Sequence, residues 1–338
     1  MKTEVLTPTD ANIQYCAELL KKGEVVGMPT ETVYGLAANA FDEYAVKKIF
    51  KAKKRPADNP LIVHIADISM LKELVLDTPE MGIKVCEKFW PGPITVVFPK
   101  SDKIPMITSG GLDTVGIRFP SNEVARKLIM ASGFPLAAPS ANLSGSPSPT
   151  TASHVFDDMT GSIPAILDGG SCSVGVESTV ISIENDIIRL LRPGKVSVED
   201  LKTVTPNVII DKGVLEVISN NTKVKSPGMK YKHYSPKADV TLVSGSVEFF
   251  EEYVSKHNSD GTYALIFDSD NISNEIKAIK YGDNSEQQAE RVFAVLRELD
   301  KIGAERVYAR CPQLDGIGLA VYNRMLRAAA FKVIKEGD

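Results

Sequence analysis

Residues 29–64, PTETVYGLAANAFDEYAVKKIFKAKKRPADNPLIVH, are the stretch from which the fold and the site are interpreted. Hydroxyl side chains and a carboxylate crowd the end of an apolar run in residues 29–36. The segment Lys47 to Arg55 then holds six cations and no acid, and Asn59-Pro60 leads into a second apolar run that ends at His64. A strand, a helix and a second strand therefore deliver hydroxyls, cations and an imidazole, which indicates an anion-binding site on a rigid scaffold.

The length of 338 residues predicts about two domains, and 43% apolar with 24% charged residues is typical of a soluble globular protein. Residues 1–12 are polar and lack the apolar core of a signal sequence, and the longest uncharged run is rich in Ser, Pro, Thr and Gly. We therefore expect no membrane span. Four cysteines without metal-binding spacing predict reduced thiols in a cytoplasmic protein and no metal site held by the protein itself.

Charge is unevenly distributed along the chain. The net charge of −4 argues against broad nucleic-acid binding, and we expect no stable complex with nucleic acid. Cations concentrate in Lys47–Arg55 and again in Lys223–Lys237, which has five lysines and no acid. Such runs are more often solvated faces than sites, but two of them beside Pro and Gly favour a polyanionic ligand.

The pattern of apolar runs predicts an α/β protein. Short strands alternate with helices in some places and follow one another directly in others, which predicts a twisted sheet, part parallel and part antiparallel, with flanking helices. We assign this domain to residues 8–200, a connecting segment to 201–238, and a small Rossmann-like domain to 239–338. Asp42 is predicted to cap a helix that runs to about Lys54, and Ser121 to cap another that runs to Ala131.

Several polar side chains fall at predicted element ends. Thr30, Thr32 and Tyr34 alternate, so in an extended segment all three face one side. The remaining candidates from these patterns are Lys53, Arg55, His64, Arg118, Ser140 and Asn142. Each has an ordinary structural explanation, such as a solvated helix end, a core histidine, a buried ion pair or a turn former. Their joint placement at element ends in one domain favours a site.

Common catalytic signatures are not evident. The sequence has no GxxxxGK[ST] phosphate loop, and Gly316-Ile317-Gly318 lacks the third glycine of a dinucleotide-binding motif. No Ser-His-Asp or Cys-His arrangement stands out either.

Longer motifs in the sequence resemble those of a known protein family. PTETVYGL, Lys53-Lys54-Arg55-Pro56 before Asn59-Pro60-Leu61, and Ser140-Ala141-Asn142-x-Ser144-Gly145 together resemble the YrdC-like family. SPGMKYKHYSP at 226–236 and GLAVYNRMLRAAA at 318–330 are similar to its two-domain form. The resemblance covers nearly the whole chain.

The resemblance implies a nucleotidyltransferase. Such enzymes combine L-threonine, bicarbonate and ATP into L-threonylcarbamoyladenylate and pyrophosphate, and the product feeds the threonylcarbamoyl-transfer machinery that modifies tRNA next to the anticodon. Mg²⁺ is expected to arrive with ATP. Catalysis would be mainly positioning and electrostatics, because the carbamate of threonine itself attacks the α-phosphate.

The resemblance also implies roles for particular residues. Lys53, Arg55 and Arg118 would be catalytic, with the two-pronged guanidinium of Arg118 suited to the threonine carboxylate. The residues implied at threonine and bicarbonate are Thr32, Tyr34, His64, Arg118, Ala138 and Ser178. Those implied at ATP are Lys53, Arg55, Asn59, Thr114, Ser140, Asn142, Ser148, Arg192, Tyr231, His233 and Tyr234.

The connecting segment is predicted to act as a lid over the site. We hypothesise that residues 226–236 close over the mouth of the first domain and exclude water from the adenylate.

Two alternative functions stay open. One alternative is a carbamoyl transferase, since hydrogenase-maturation proteins share the catalytic fold, although this chain lacks the cysteines of their zinc-finger-like regions. The other is an RNA-binding module that uses the basic segments, which a steep salt dependence of RNA affinity would reveal.

Overall fold

The structure is a computed structural model that describes residues 2–57, 59–216 and 234–337. The described residues form two sheets, one of eleven strands and one of five. The strands are β1 Glu4–Leu6, β2 Val26–Met28, β3 Gly35–Asn39, β4 Ile62–His64, β5 Ile94–Pro99, β6 Thr114–Arg118, β7 Leu136–Ala137, β8 Ala165–Leu167, β9 Thr179–Glu184, β10 Ile187–Arg192, β11 Val208–Ile210, β12 Asp239–Ser244, β13 Thr262–Ile266, β14 Ala278–Lys280, β15 Arg306–Arg310 and β16 Val333–Lys335.

Helices cover both sheets. The α-helices are α1 Asp10–Lys21, α2 Glu43–Lys53, α3 Leu71–Leu74, α4 Glu80–Phe89, α5 Glu123–Ser132, α6 Ala152–Met159, α7 Val198–Lys202, α8 Val247–Lys256, α9 Ser285–Lys301 and α10 Gly318–Ala328, and short 3₁₀ turns lie at Ile68–Met70 and Lys212–Val214. Each long helix buries an apolar stripe against a sheet, as Ile13, Cys16, Ala17 and Leu20 show in α1.

The large sheet is mixed. Its order is β1-β8-β2-β3-β7-β4-β6-β5-β9-β10-β11. Strand β4 runs parallel to β6, whereas β7 is antiparallel to both of its neighbours, β3 and β4. The predicted twisted sheet with parallel and antiparallel pairs is confirmed. Strand β11 also belongs to this sheet, although it lies within the segment predicted to connect the domains.

The five-stranded sheet is parallel throughout, in the order β14-β13-β15-β12-β16. Helices α8, α9 and α10 connect or follow its strands, as a Rossmann-like domain requires. Strands β14 and β16 are short edge strands that the sequence analysis does not predict, and their exposed positions give little apolar pattern to detect.

Local chemistry explains where helices begin and end. Asp42 caps α2 as predicted, and its side chain accepts hydrogen bonds from two N–H groups of the first turn. Helix α2 ends where Lys54 adopts a left-handed φ of 51° and Pro56 follows. The predicted cap of α5 is wrong by one residue: Asn122 caps it, and the Ser121 N–H donates instead to the Glu31 carboxylate at 3.2 Å.

The two domains pack closely. Val33 and Val176 of the first domain belong to the apolar cluster of the second. Gly175 has a φ of +78°, and a Cβ atom there would lie 2.2 Å from the Ala289 carbonyl oxygen of α9. Because only glycine avoids that clash, the backbone of the first domain approaches α9 directly.

Candidate active site

A pocket of about 720 Å³, counting its open mouth, lies over the middle of the large sheet. Ile62 and His64 are two residues apart on β4 and both line it, so the pocket covers a face of the sheet. The described residues that line it are Thr30, Thr32, Val33, Tyr34, Gly35, Lys53, Arg55, Ile62, His64, Arg118, Ala138, Pro139, Ser140, Asn142, Ser144, Gly145, Glu177, Ser178, Arg192 and Tyr234.

The predicted extended conformation of residues 30–34 is wrong. The Thr30 hydroxyl donates to the Val33 carbonyl at 2.6 Å and accepts from the N–H groups of Thr32 and Val33, so the chain forms a tight turn between β2 and β3. Threonine hydroxyls compete for nearby backbone groups in this way, and the alternating pattern does not reveal it. The Tyr34 hydroxyl points to the Gly170 carbonyl, 2.7 Å away, rather than alongside the threonine hydroxyls.

One end of the pocket is built around Arg118 at the end of β6. Its Nη1 donates to the Thr32 hydroxyl at 2.8 Å, and its Nη2 lies 2.8 Å from Glu31 Oε1 in a buried ion pair. Burial alone would raise the pKa of Glu31, but the positive charge of Arg118 holds that pKa below its ordinary value. Within the described part of the chain, Arg118 Nε has no hydrogen-bond partner, so this buried guanidinium retains a donor for a ligand anion.

His64 is the neighbour of Arg118 on the adjacent strand. Its side chain is 3% exposed, and burial together with the Arg118 charge lowers its pKa to about 3. The imidazole is therefore neutral at physiological pH. Among the described residues its Nδ1 has no hydrogen-bond partner, which leaves a second polar atom at the Arg118 end to contact a ligand.

Lys53 connects α2 to the turn that follows β7. Its Nζ donates to the carbonyl oxygens of Ser140 and Asn142, the latter at 2.7 Å, so the lysine braces this polar turn from within. Burial, followed by the charge of Arg55, lowers the pKa of Lys53 well below its ordinary value. A bound phosphate would restore the preference for the charged form.

Most of the cations in Lys47–Arg55 do not reach the pocket. Lys47 pairs with Glu43 and Lys48 with Glu24 on the surface. From this run only Lys53 and Arg55 line the pocket, because they lie at the end of α2 that points toward it. The number of cations in the run is thus a poor guide to the charge of the site.

Arg192 and Ser178 form a further part of the pocket wall. Arg192 Nε donates to the Ser178 carbonyl and its Nη2 to the Ser178 hydroxyl, both at 3.1 Å. That hydroxyl also lies 2.8 Å from the buried Thr95 hydroxyl of β5. Burial lowers the pKa of Arg192 to about 10, which still leaves it charged at neutral pH.

Glu177 is a pocket residue that the sequence analysis missed. Its Oε1 accepts a 2.5 Å hydrogen bond from the Ser148 hydroxyl, and its Oε2 accepts one at 2.9 Å from Arg324 of the second domain. No local sequence motif identifies Glu177 as a site residue, because its partner Arg324 lies 147 residues away in the sequence. Glu31 was not among the candidates either, although it is the one acid in residues 29–41.

Some predicted ATP residues lie elsewhere in the structure. Asn59 is buried, Thr114 begins β6 at the strand end remote from Arg118, and Ser148 is bonded to Glu177; none of the three lines the pocket. Tyr231 and His233 lie outside the described residues. Tyr234 lines the pocket, and the adjacent Ser235 N–H donates to the Gly145 carbonyl at 3.0 Å.

Two further observations bear on ligands and membranes. Across residues 2–57, 59–216 and 234–337, no group of three or more His, Cys, Asp or Glu side chains is placed to hold a metal ion. In the same ranges, no helix is both long and apolar enough to cross a lipid bilayer.

Fold and pocket together define a class of protein: a two-domain α/β protein with a pocket that four cationic side chains line, namely Lys53, Arg55, Arg118 and Arg192. Residues 18–194 match the Sua5/yciO/yrdC family, described as "Telomere recombination", and residues 196–330 match "Threonylcarbamoyl-AMP synthase, C-terminal domain". Threonylcarbamoyl-AMP synthase of Pyrococcus abyssi is 43% identical over 327 residues, which cover 96% of this chain and 95% of that one.

A second relative and a solved structure indicate the same family. Threonylcarbamoyl-AMP synthase of Bacillus subtilis is 42% identical over 98% of this chain and 97% of its own length. The crystal structure of P. abyssi Sua5 complexed with L-threonine has a TM-score of 0.92 and 41% identity, with 99% of each chain covered. The chain belongs to the two-domain branch of the Sua5/yciO/yrdC family, the threonylcarbamoyl-AMP synthases. The predicted family, its fold and its class of enzyme, a transferase of tRNA processing, are confirmed.

Proposed function

We propose that the chain combines L-threonine, bicarbonate and ATP into L-threonylcarbamoyladenylate and pyrophosphate. Nearly full-length identity to threonylcarbamoyl-AMP synthases supports the reaction. The observation that carries the site assignment is the buried Arg118, whose Nε donor has no partner among the described residues. A carboxylate of threonine supplies the anion that such a guanidinium needs.

The amino-acid end of the substrate is assigned to the Arg118 end of the pocket. There Arg118 binds the threonine carboxylate, while Thr32 and the neutral His64 offer a hydroxyl and an imidazole nitrogen to the remaining polar groups. The amine nitrogen of threonine forms a bond to the carbon of bicarbonate, a C–O bond of bicarbonate breaks and water leaves. An oxygen of the resulting carbamate is the nucleophile. The role of the protein at this end is to orient that oxygen toward the nucleotide.

The nucleotide is assigned to the end that contains Lys53, Arg55 and Arg192. The carbamate oxygen forms a bond to the α-phosphorus, the bond from that phosphorus to the bridging oxygen of the β-phosphate breaks, and pyrophosphate leaves with the electron pair. The three cations counter the charge that accumulates on pyrophosphate. Mg²⁺ is proposed to enter with ATP, and phosphate oxygens would be its main ligands.

The end of the connecting segment supports the proposed lid. Tyr234 contributes to the pocket wall, and Ser235 is tied to Gly145 of the polar turn by a 3.0 Å hydrogen bond. Residues 226–233 of the proposed lid lie outside the described residues, so the support comes from Tyr234 and Ser235 alone. The reaction benefits because the mixed anhydride hydrolyses in water.

The destination of the product stays a proposal as well. We assign the adenylate to the enzymes that transfer threonylcarbamoyl groups to tRNA, and the reaction to the cytoplasm where tRNA is modified. The RNA-binding alternative is weakened at α2, since Lys47 and Lys48 are paired with acids at the surface.

Pyrophosphate release from ATP, with threonine and bicarbonate omitted in turn, tests the proposed reaction. We expect release to require both. Lys53→Ala should nearly abolish it, because the Ser140–Asn142 turn loses its brace and the site a cation. Lys51→Ala is the matched control, since Lys51 is an exposed residue of the same helix, and it should change the rate by less than about twofold.

The outcomes separate the alternatives. Release without any need for threonine favours carbamoyl transfer. No release, together with salt-sensitive binding of RNA, favours the RNA-binding module. Equal loss of activity in the two lysine variants contradicts the assigned role of Lys53.

A further inference from the structure

Arg324 joins the second domain to the wall of the pocket. It lies on α10, and its side chain is fully buried. Its Nε donates to Glu177 Oε2 at 2.9 Å and its Nη1 donates to the Pro193 carbonyl at 2.9 Å. Glu177 and the adjacent Ser178 line the pocket, so a cation of one domain completes a wall built by the other.

The charge on Glu177 matters because cations surround it. Burial would raise its pKa, but the charges of Arg324 and Arg192 and the Ser148 hydrogen bond hold that pKa below its ordinary value. Glu177 is therefore an anion beside Arg192, a residue assigned to the nucleotide. A buried carboxylate in that position competes with a phosphate for Arg192 unless another cation neutralises it.

Arg324 also contacts the last part of the connecting segment. Its Cζ atom lies 5.7 Å from the centroid of the Tyr234 ring, and that ring packs on Phe293 of α9 with centroids 5.2 Å apart. Tyr234 has a left-handed φ of 62°, a conformation that a tyrosine adopts only where its surroundings fix it. One guanidinium thus holds both the Glu177 carboxylate and the Tyr234 ring.

We propose that Arg324 is a positioning residue for the nucleotide: it neutralises Glu177, so that Arg192 and the cations near it are available to the phosphates of ATP. This inference rests on the proposed function for the identity of the ligand. It gives the second domain a direct part in the reaction, because a residue of α10 sets the net charge at the nucleotide end. Arg324 contacts no reacting atom in this assignment.

Steady-state kinetics of the full-length chain test whether the balance of charge between Arg324 and Glu177 affects the KM for ATP. Arg324→Gln leaves Glu177 without its cation, so we expect the KM for ATP to rise about tenfold while the KM for threonine changes less than about threefold. Arg324→Gln combined with Glu177→Gln removes both charges. The KM for ATP should then return to within about threefold of the wild-type value.

A matched control separates charge from packing. Arg297 of α9 is another buried arginine at the domain interface; its Nη2 lies 2.7 Å from Asp158 and 2.6 Å from the Pro147 carbonyl, and neither acceptor lines the pocket. Arg297→Gln should lower the thermal unfolding temperature without raising the KM for ATP.

The outcomes are distinguishable. If Arg324→Gln folds and binds ATP as the wild type does, or if the double variant is no better than the single one, Arg324 is only a packing residue and the proposal is wrong. If the single variant does not fold, the double variant still decides, since the proposal requires near-normal ATP affinity in it. Should wild-type chain release no pyrophosphate with threonine, the proposed function fails, and calorimetric affinity for ATP in the same variants tests Arg324 independently.

Discussion

The two ends of the pocket balance their charges in different ways. At the Arg118 end, the cation and its acid, Glu31, both belong to the first 120 residues and to one domain. At the Arg192 end, the acid Glu177 is neutralised from outside, by Arg324 of α10. The comparison shows that the ion pair of Arg118 lies within the first domain, whereas the ion pair of Glu177 joins both domains.

The ends also differ in how far their polar groups are satisfied. Among the described residues, Arg118 Nε and His64 Nδ1 have no hydrogen-bond partner. In contrast, Arg192 uses two donors on Ser178, and both oxygens of Glu177 accept hydrogen bonds. Within the described residues, Arg118 therefore keeps one donor that no protein group uses, whereas Arg192 and Glu177 already make hydrogen bonds to the protein.

Arg118→Ala should have the largest effect. Removing the guanidinium deletes the proposed partner of the threonine carboxylate and leaves Glu31 buried without its cation, so we expect kcat/KM for threonine to fall about a thousandfold. Threonine-dependent pyrophosphate release measures it. ATP affinity, determined by calorimetry, should change less than about threefold if the two ends act separately. A parallel loss of ATP affinity would contradict the division of the pocket.

Glu31→Gln should destabilise the fold. The change keeps the size of the side chain but leaves the buried Arg118 charge unpaired, which we expect to lower the free energy of unfolding by about 3 kcal/mol. Denaturant unfolding measures this quantity. Glu43→Gln is the control, because its pair with Lys47 is exposed, and it should cost less than about 1 kcal/mol. Equal losses in the two variants would show that the Arg118 end does not depend on its own acid.

His64 should make stability depend on pH. The folded imidazole has a pKa of about 3 and stays neutral, whereas the unfolded one takes up a proton below about pH 6.5. Acid therefore favours unfolding, beginning near pH 6.5 and levelling off below about pH 3. Between pH 7 and 5.5 the wild type should lose about 1 kcal/mol more unfolding free energy than His64→Gln.

If His64→Gln has the same slope as the wild type, the His64 imidazole is not held neutral beside Arg118.

Local signals predicted much of the catalytic domain. The apolar stripe behind Asp42 located α2, and the apolar alternation of Thr114 to Arg118 gave both ends of β6. Helix α1 was not predicted. The apolar residues Ile13, Cys16, Ala17 and Leu20 have helical spacing, so the sequence does contain the pattern that predicts this helix. The turn at residues 30–33 was not predictable from alternation, because hydroxyl bonds to the local backbone decide it.

Some site residues were predicted from the sequence and others were not. The difference again depends on whether a local motif or a long-range contact fixes the residue. Lys53, Arg55, His64 and Arg118 lie at element ends next to strong motifs, and the structure brings all four to one pocket. Glu177 and Arg324 depend on a contact between segments 147 residues apart, and no local pattern encodes such a contact. A sequence motif can mark a residue type in a place, but the partner across a domain interface emerges only from tertiary packing.

The contact at Gly175 has a consequence for the modularity of this chain. With its missing Cβ only 2.2 Å from the carbonyl oxygen of Ala289, the first domain is shaped to the second at the level of the main chain. The catalytic domain is consequently not an interchangeable part: transplanted alone, it would present Val33 and Val176 to water and Glu177 without its counter-ion. Any recombination that exchanges one half must carry the matching α9 and α10 surfaces with it.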